Sequence, residues 1–322
     1  MTFPLNEPGP RTCWSLLPVS TDAPVSQNAD VAATATVSSD AMTDSPYNAT
    51  LVERVDRNPS LSLFRVKFNN AQVPDFQPGQ YTTLGLLPPP EPEAEAGADA
   101  ATDENSPRAK RANRGPRLLR RAYSIASSPN LKDYIEFYIV RVDEGKFTPL
   151  LWQVEQGAPI YMDEKIKGKF TLEGVPDGKD LIMIGTGTGL APFHSMLHTY
   201  RGTGKWNRLV IVDGCRYASD LGYLDEMTQI ADEDPSVTYL PTVTREPEDS
   251  PWKGLRGRMH FIFEPDTYHK LTGGVLDPDQ CQVFLCGSPQ MIEQSTASLE
   301  ALGFVTKDRQ HPDGNIHFER YW

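Results

Sequence analysis

The chain has 322 residues, long enough for two domains with sizeable cores, and carries a formal net charge of −12 from 31 basic and 43 acidic side chains. That balance disfavours nucleic-acid binding and favours solubility, and no apolar run approaches the ~18 residues a spanning helix needs. The four cysteines (Cys13, Cys215, Cys281, Cys286) show neither paired metal spacing nor a disulfide framework, so no metal site is expected and a reducing cytoplasm is the natural compartment.

Residues 1–45 are rich in Ala, Ser, Thr, Asp and Val and lack the basic start and apolar core of a secretory signal. They read as a disordered tail, with Met42 as a candidate translation start. The alternation in Leu51–Val55 and Leu61–Phe68 predicts antiparallel strands, and Phe76–Leu84 predicts another. Residues 88–117 form a low-complexity insertion of Pro-Glu-Ala repeats followed by a basic run. From Arg108 to Arg121 that run holds Arg108, Lys110, Arg111, Arg114, Arg117, Arg120 and Arg121 with no acid.

Next comes Arg121-Ala122-Tyr123-Ser124, a stretch whose chemistry suits a flat, anionic redox cofactor. A guanidinium grips a phosphate with a fork of N–H donors, a phenol stacks, and a hydroxyl bonds a ring nitrogen. Strand alternation puts Arg121 and Tyr123 on one face and Ser124 on the other unless the backbone bends; an ordinary strand with a polar rim is the plainer reading. Ile135–Val142 and Ala158–Met162 predict further strands, with a helix near Thr148–Val154. Residues 46–176 are thus expected to form a small antiparallel β-barrel, and residues 177–322 an α/β domain with a doubly wound parallel sheet.

In that second part Asp180–Ile184 reads as a strand. It leads into Gly185-Thr186-Gly187-Thr188-Gly189-Leu190-Ala191-Pro192 and a helix over Phe193–Arg201. Strand, glycine turn and helix in that order let backbone N–H groups meet a pyrophosphate. The spacing is G-x-G-x-G rather than the full dinucleotide fingerprint, and a tight turn without a ligand explains the same glycines. Strands Arg208–Cys215 and Val237–Val243 run into Arg216 and Arg245, and Arg258 follows in Gly257-Arg258-Met259. Cations at that sheet edge suit the 2′-phosphate of an adenosine, against the plain reading of solvated loop arginines. A fourth strand, Gln282–Leu285, enters Cys286-Gly287-Ser288-Pro289-Gln290-Met291. Two readings of Cys286 stand: a contact to nicotinamide, or a buried, inert thiol.

Taken in order, these motifs resemble those of bacterial-type ferredoxin/flavodoxin–NADP reductases. The resemblance covers roughly residues 47 to 322 outside the insertion. It rests on Arg-Ala-Tyr-Ser at 121–124, Gly145-Lys146-Phe147-Thr148, the glycine loop at 185–192, Cys-Gly-Ser-Pro-Gln-Met at 286–291 and the terminal Tyr321-Trp322. It implies FAD and NADP(H) as cofactors. Arg121 is then expected to hold the FAD pyrophosphate, Tyr123 to stack on the isoalloxazine, and Ser124 to approach its N5 atom. Gly145, Lys146, Phe147 and Thr148 would cap the pyrophosphate through N–H groups and the Thr hydroxyl. Gly185, Thr186, Gly187, Thr188 and Gly189 would receive the NADP pyrophosphate, and Arg216, Arg245 and Arg258 the adenosine end. Cys286 would line the nicotinamide pocket, with Gly287 and Met291 of the same motif counted among the cofactor contacts. Tyr321 would cover the flavin and Trp322 the adenine.

The resemblance implies hydride transfer from NADPH to flavin N5, with Ser124, Cys286 and Tyr321 at the reacting centre, then single electrons to ferredoxin or flavodoxin. The basic cluster at 108–121 stands either as a docking patch for such an acidic carrier or as a flexible linker. A monomer is expected. Two other functions remain open: an NAD(P)H–flavin or quinone reductase, and a non-catalytic flavin module acting as a redox sensor.

Overall fold

Two six-stranded sheets account for the chain in the computed structural model, which describes residues 45–89 and 117–321. The calls on the 1–45 tail, Met42, Trp322 and most of the 88–117 insertion lie outside the described residues. In the first sheet β1 (Ala49–Asn58), β2 (Leu61–Phe68), β3 (Tyr81–Leu86), β4 (Leu119–Ser124), β5 (Ile135–Val140) and β6 (Pro159–Met162) run in the order β4-β3-β6-β1-β2-β5, with every pairing antiparallel. The two edges meet just past β4, where Ile125 bridges Phe137 and Ala126 N–H donates to Glu136 O at 2.8 Å. That contact brings the two ends of the sheet together past β4 and curls it into a barrel. Alternation along β2 explains its two duties: Phe64, Val66 and Phe68 fill the barrel, whereas Leu61 and Leu63 point outward onto the second half of the molecule. The helix expected over Thr148–Val154 is a single turn, α1 (Thr148–Leu151), and β5 stops at Val140 rather than Val142.

The second sheet is parallel throughout, in the order β10-β9-β8-β7-β11-β12. Its strands are β7 (Asp180–Thr186), β8 (Arg208–Cys215), β9 (Val237–Val243), β10 (Leu255–Arg256), β11 (Cys281–Gly287) and β12 (Ile316–Arg320), connected through helices α2 (Ala191–Tyr200), α3 (Leu224–Glu233), α4 (Pro265–Thr272) and α5 (Pro289–Glu300). β11 is buried at all its positions and β7 at all but the last, as strands covered on both faces must be. The sequence reading did not foresee β10 or β12: the first is only two residues long, and the second ends against the C-terminus without a turn signal. From β7 the chain builds outward through β8, β9 and β10, then returns to the other side of β7 with β11. The β7–β11 junction is therefore the topological switch point, where α/β sheets open a ligand crevice.

One apolar cluster runs from Leu61, Leu63 and Tyr138 of the barrel through Phe170 and Leu172 of the connecting segment to Met183, Phe193 and Phe284 of the α/β half. Phe170 meets the Phe284 ring edge-on at 5.5 Å, and burial of such a ring is worth about 1.5–3 kcal/mol. Polar clamps reinforce the joint. Tyr223 Oη donates to Glu136 Oε1 at 2.7 Å, Ser195 Oγ to Ser127 O at 2.7 Å, and Tyr138 Oη to Asp220 O at 3.1 Å. Glu136 is also paired with Arg65 at 2.7 Å, so its buried charge is compensated. No helix of the described residues is long and apolar enough to cross a membrane.

Candidate active site

Two clefts lie along this joint. The first, of about 440 Å³, is walled by β4, by the loop entering α1 and by the end of β12. In its ladder β4 pairs only with β3, from Tyr81 opposite Ser124 to Leu86 opposite Leu119, so its other edge faces the cleft. Arg121, Ala122, Tyr123 and Ser124 all line it, the first two exposed and Ser124 buried. Arg121 is exposed, and its guanidinium bonds the neighbouring Arg120 O at 2.8 Å. Tyr123 is half-buried and tilted against Phe147 at 5.9 Å; burial pushes its phenol up.

Gly145, Lys146, Phe147 and Thr148 also line this cleft, but their polar groups are not all free. Gly145 N–H donates to Val142 O at 3.0 Å, and Thr148 Oγ1 donates to that same carbonyl while accepting from Val142 N–H at 2.9 Å. Gly145 N–H and the Thr148 hydroxyl are therefore spent on shaping the loop, not on capping a phosphate. Phe147 lies in the barrel core at 2% exposure.

Of the third wall, sequence reasoning named Tyr321 and missed Glu319 and Arg320. β12 delivers Glu319, Arg320 and Tyr321 into the cleft, and Ser124 Oγ donates to Glu319 Oε2 at 3.3 Å. Burial raises the Glu319 carboxyl, with the Ser124 hydrogen bond working the other way. The available signal was its position two residues before Tyr321, on the same strand face. The Tyr321 hydroxyl meets the thiol of Cys286, which is fully buried and pushed well up by desolvation. Cys286 thus sits beneath Tyr321 and lines neither cleft, so it is correctly described as a covered thiol in this arrangement.

The second cleft, of about 610 Å³, opens at the carboxyl ends of the parallel strands. Thr186, Gly187, Thr188, Arg216, Arg245, Arg258 and Met291 line it, as expected. Gly185, Gly189 and Gly287 do not; they serve packing. A Cβ on Gly189 would lie 2.3 Å from Cys286 O, and one on Gly287, at φ +126°, would lie 2.2 Å from Thr186 Oγ1. That closeness lets Thr186 Oγ1 accept from Ser288 N–H at 2.9 Å and tie the two loops of the switch point together. Arg216, Arg245 and Arg258 are exposed and form no ion pair among the described residues. Val140 and Thr188 line both clefts, so the two are continuous.

Residues 183–296 match the family model described as an oxidoreductase NAD-binding domain. A ferredoxin–NADP reductase of Pseudomonas aeruginosa is 30% identical over 213 residues, covering 63% of this chain and 80% of the relative. A flavodoxin/ferredoxin–NADP reductase of Escherichia coli K12 is 30% identical over 204 residues, covering 63% of this chain and 81% of that one. The chain belongs to the ferredoxin/flavodoxin–NADP reductase family. Its fold is also that of a solved ferredoxin–NADP reductase from Neisseria gonorrhoeae with bound FAD and NADP, at a TM-score of 0.69 and 22% identity over 87% of this chain and all of the other.

One buried acid beneath the second cleft has a testable signature. Asp213 of β8 is 1% exposed, and burial raises its carboxyl to about 7, although the Tyr239 hydroxyl at 2.9 Å and the Cys215 thiol favour its ionised form. Its unfolded value is about 3.9, so the folded chain holds a proton that the unfolded chain has already released. Stability therefore falls as pH rises through that window and stays low above it. Asp213→Asn is expected to gain on the order of 4 kcal/mol relative to the parent between about pH 4 and pH 8. Chemical denaturation across that range is the check, and a constant difference between the two proteins contradicts it.

Proposed function

We propose that the first cleft holds FAD and the second NADP(H), and that the chain is an FAD-dependent oxidoreductase passing electrons between NADP(H) and ferredoxin or flavodoxin. The observation that carries this reading is the continuity of the two clefts at Val140 and Thr188. An aromatic and polar wall there adjoins a crevice ringed by three unpaired arginines. The donor sets fit the two groups. Arg121 offers a guanidinium with no acid partner among the described residues, Tyr123 and Tyr321 offer aromatic surface, and Ser124 a hydroxyl at the cleft floor. On the other side Thr186, Gly187 and Thr188 present the strand–helix turn to a pyrophosphate, and Arg216, Arg245 and Arg258 suit the adenosine phosphate.

FAD, when bound, supplies the exchange between a two-electron hydride donor and a one-electron carrier. The chain's own residues position and enclose. Tyr321 rests over Ser124, Glu319 and Cys286 and has to move aside for a nicotinamide to reach that point. Ser124 and Glu319 then form a polar pair at the cleft floor, where the raised carboxyl is suited to holding a proton. Cys286, neutral because it is buried, becomes exposed only when Tyr321 leaves.

Arg117, Arg120 and Arg121 lie exposed at and beside the first cleft and form the described part of a docking patch for an acidic carrier. The whole chain carries −12, so attraction has to be local and is screened by salt over about 8–10 Å. Stopped-flow mixing of the NADPH-reduced protein with ferredoxin or flavodoxin tests both parts. Rapid carrier reduction that slows steeply with added salt is expected. A fast but salt-independent rate removes the docking patch, and no carrier reduction removes the carrier assignment.

A further inference from the structure

α2 begins at the turn that lines the second cleft, and it carries two of the chain's six histidines one helical turn apart, His194 and His198. Across from them stands Glu226 of α3. The geometry points to a divalent transition-metal site, Zn²⁺ foremost, formed by His194 Nε2, His198 Nε2 and Glu226 Oε1. The three ligand atoms lie within 4.8 Å of one another. The site lies outside the two cofactor clefts and does not depend on their assignment.

The tautomer of His194 is fixed. Its Nδ1 lies 2.8 Å from Ala126 O, and a carbonyl only accepts, so the ring proton sits on Nδ1. Its Nε2 faces Glu226 Oε1, 3.3 Å away. His194 is 5% exposed, so little water reaches this contact. His198 Nε2 approaches the same oxygen to 2.9 Å and is itself out of solvent. A cation placed among the three atoms satisfies all of them. Tetrahedral zinc with bonds of 2.0–2.1 Å separates neighbouring ligand atoms by about 3.3 Å, within a few tenths of the 3.3 and 2.9 Å found here.

The surroundings are those of a supported ligand set. The Nδ1–Ala126 contact comes from the barrel, and Tyr223 stacks on the His194 ring at 4.0 Å while its hydroxyl is held by Glu136. Glu226 is 41% exposed, which leaves an entry path and an open position for water. A metal here ties α2 to α3 next to the barrel contact, and so clamps the helix that follows the nucleotide-binding turn.

Titration of the full-length, chelator-treated protein with Zn²⁺ in a calorimeter, paired with thermal melts, tests this. One Zn²⁺ per chain and a raised Tm are expected. His198→Gln and Glu226→Gln, at partly exposed positions that leave the core intact, lower the affinity by at least roughly 10-fold and abolish the Tm shift. His311→Gln, at an exposed histidine elsewhere, leaves both unchanged. No uptake by the parent protein overturns the site and leaves a shared proton in its place. Uptake that survives His198→Gln and Glu226→Gln, or that is lost with His311→Gln, overturns it equally.

Discussion

Arg258→Ala is expected to raise the KM for NADPH by roughly 10- to 100-fold while leaving the KM for NADH nearly unchanged. Arg258 is exposed at the second cleft, and its one side-chain partner among the described residues is Gln294 at 3.4 Å, so no acid neutralises it. The contrast with nearby arginines is instructive. Arg256 is engaged by Glu246 O at 2.7 Å and Pro247 O at 3.1 Å, and Arg208 pairs with Asp180 at 3.2 Å. Those two are structural; Arg258 is left to meet an anion. NADPH differs from NADH by one phosphate, so a charge-assisted contact to it appears as a difference between the two coenzymes. Arg258→Lys keeps the charge but loses the planar fork and is expected to fall between the parent and the Ala variant. Equal losses for NADPH and NADH would mean that Arg258 does not read the phosphate.

Gly189→Ala is expected to cost about 2–3 kcal/mol of stability and to lower the Tm by roughly 5–10 °C. The added Cβ would meet Cys286 O at 2.3 Å, Cys286 C at 2.8 Å and Gly287 Cα at 3.0 Å. All three are backbone atoms of β11, so no side chain can yield. The turn after β7 has to move away from β11, which also displaces Thr186 and Thr188 at the cleft. Weaker NADPH binding accompanies the lower Tm. Gly187 has nothing within 4 Å of its Cβ position and makes the control: Gly187→Ala meets only the strain of a positive φ, about 1 kcal/mol. A Gly189→Ala protein as stable as the parent contradicts the close approach.

Much of this architecture was legible in the sequence because period and punctuation agree. The continuous apolar runs at Asp180–Ile184 and Gln282–Leu285 could only be strands buried on both faces, and the glycines between strand and helix marked the switch point. Arg216, Arg245 and Arg258 could be placed at the second cleft because each stands just past a strand-type run or a glycine. What failed did so for physical reasons. The motif at Gly185–Gly189 reads as a phosphate cradle, yet Gly185 answers to packing within the turn, against Leu190 N, and Gly189 to packing against β11, a strand about a hundred residues away. Thr148 was assigned to a ligand, but its hydroxyl is satisfied locally by Val142, a competition that spacing cannot reveal. Glu319 and Glu226 meet their partners only in the folded chain; the one-turn spacing of His194 and His198 and the place of Glu319 two residues before Tyr321 were local signals, but neither shows what the side chain meets.

The measurement that tests the account most directly is the flavin content of the purified full-length protein, followed by anaerobic addition of NADPH. One FAD per chain, with its visible absorption bleached by stoichiometric NADPH, is the predicted result. A colourless protein that takes up no added FAD would contradict the assignment of the first cleft, and with it the electron path built on that assignment.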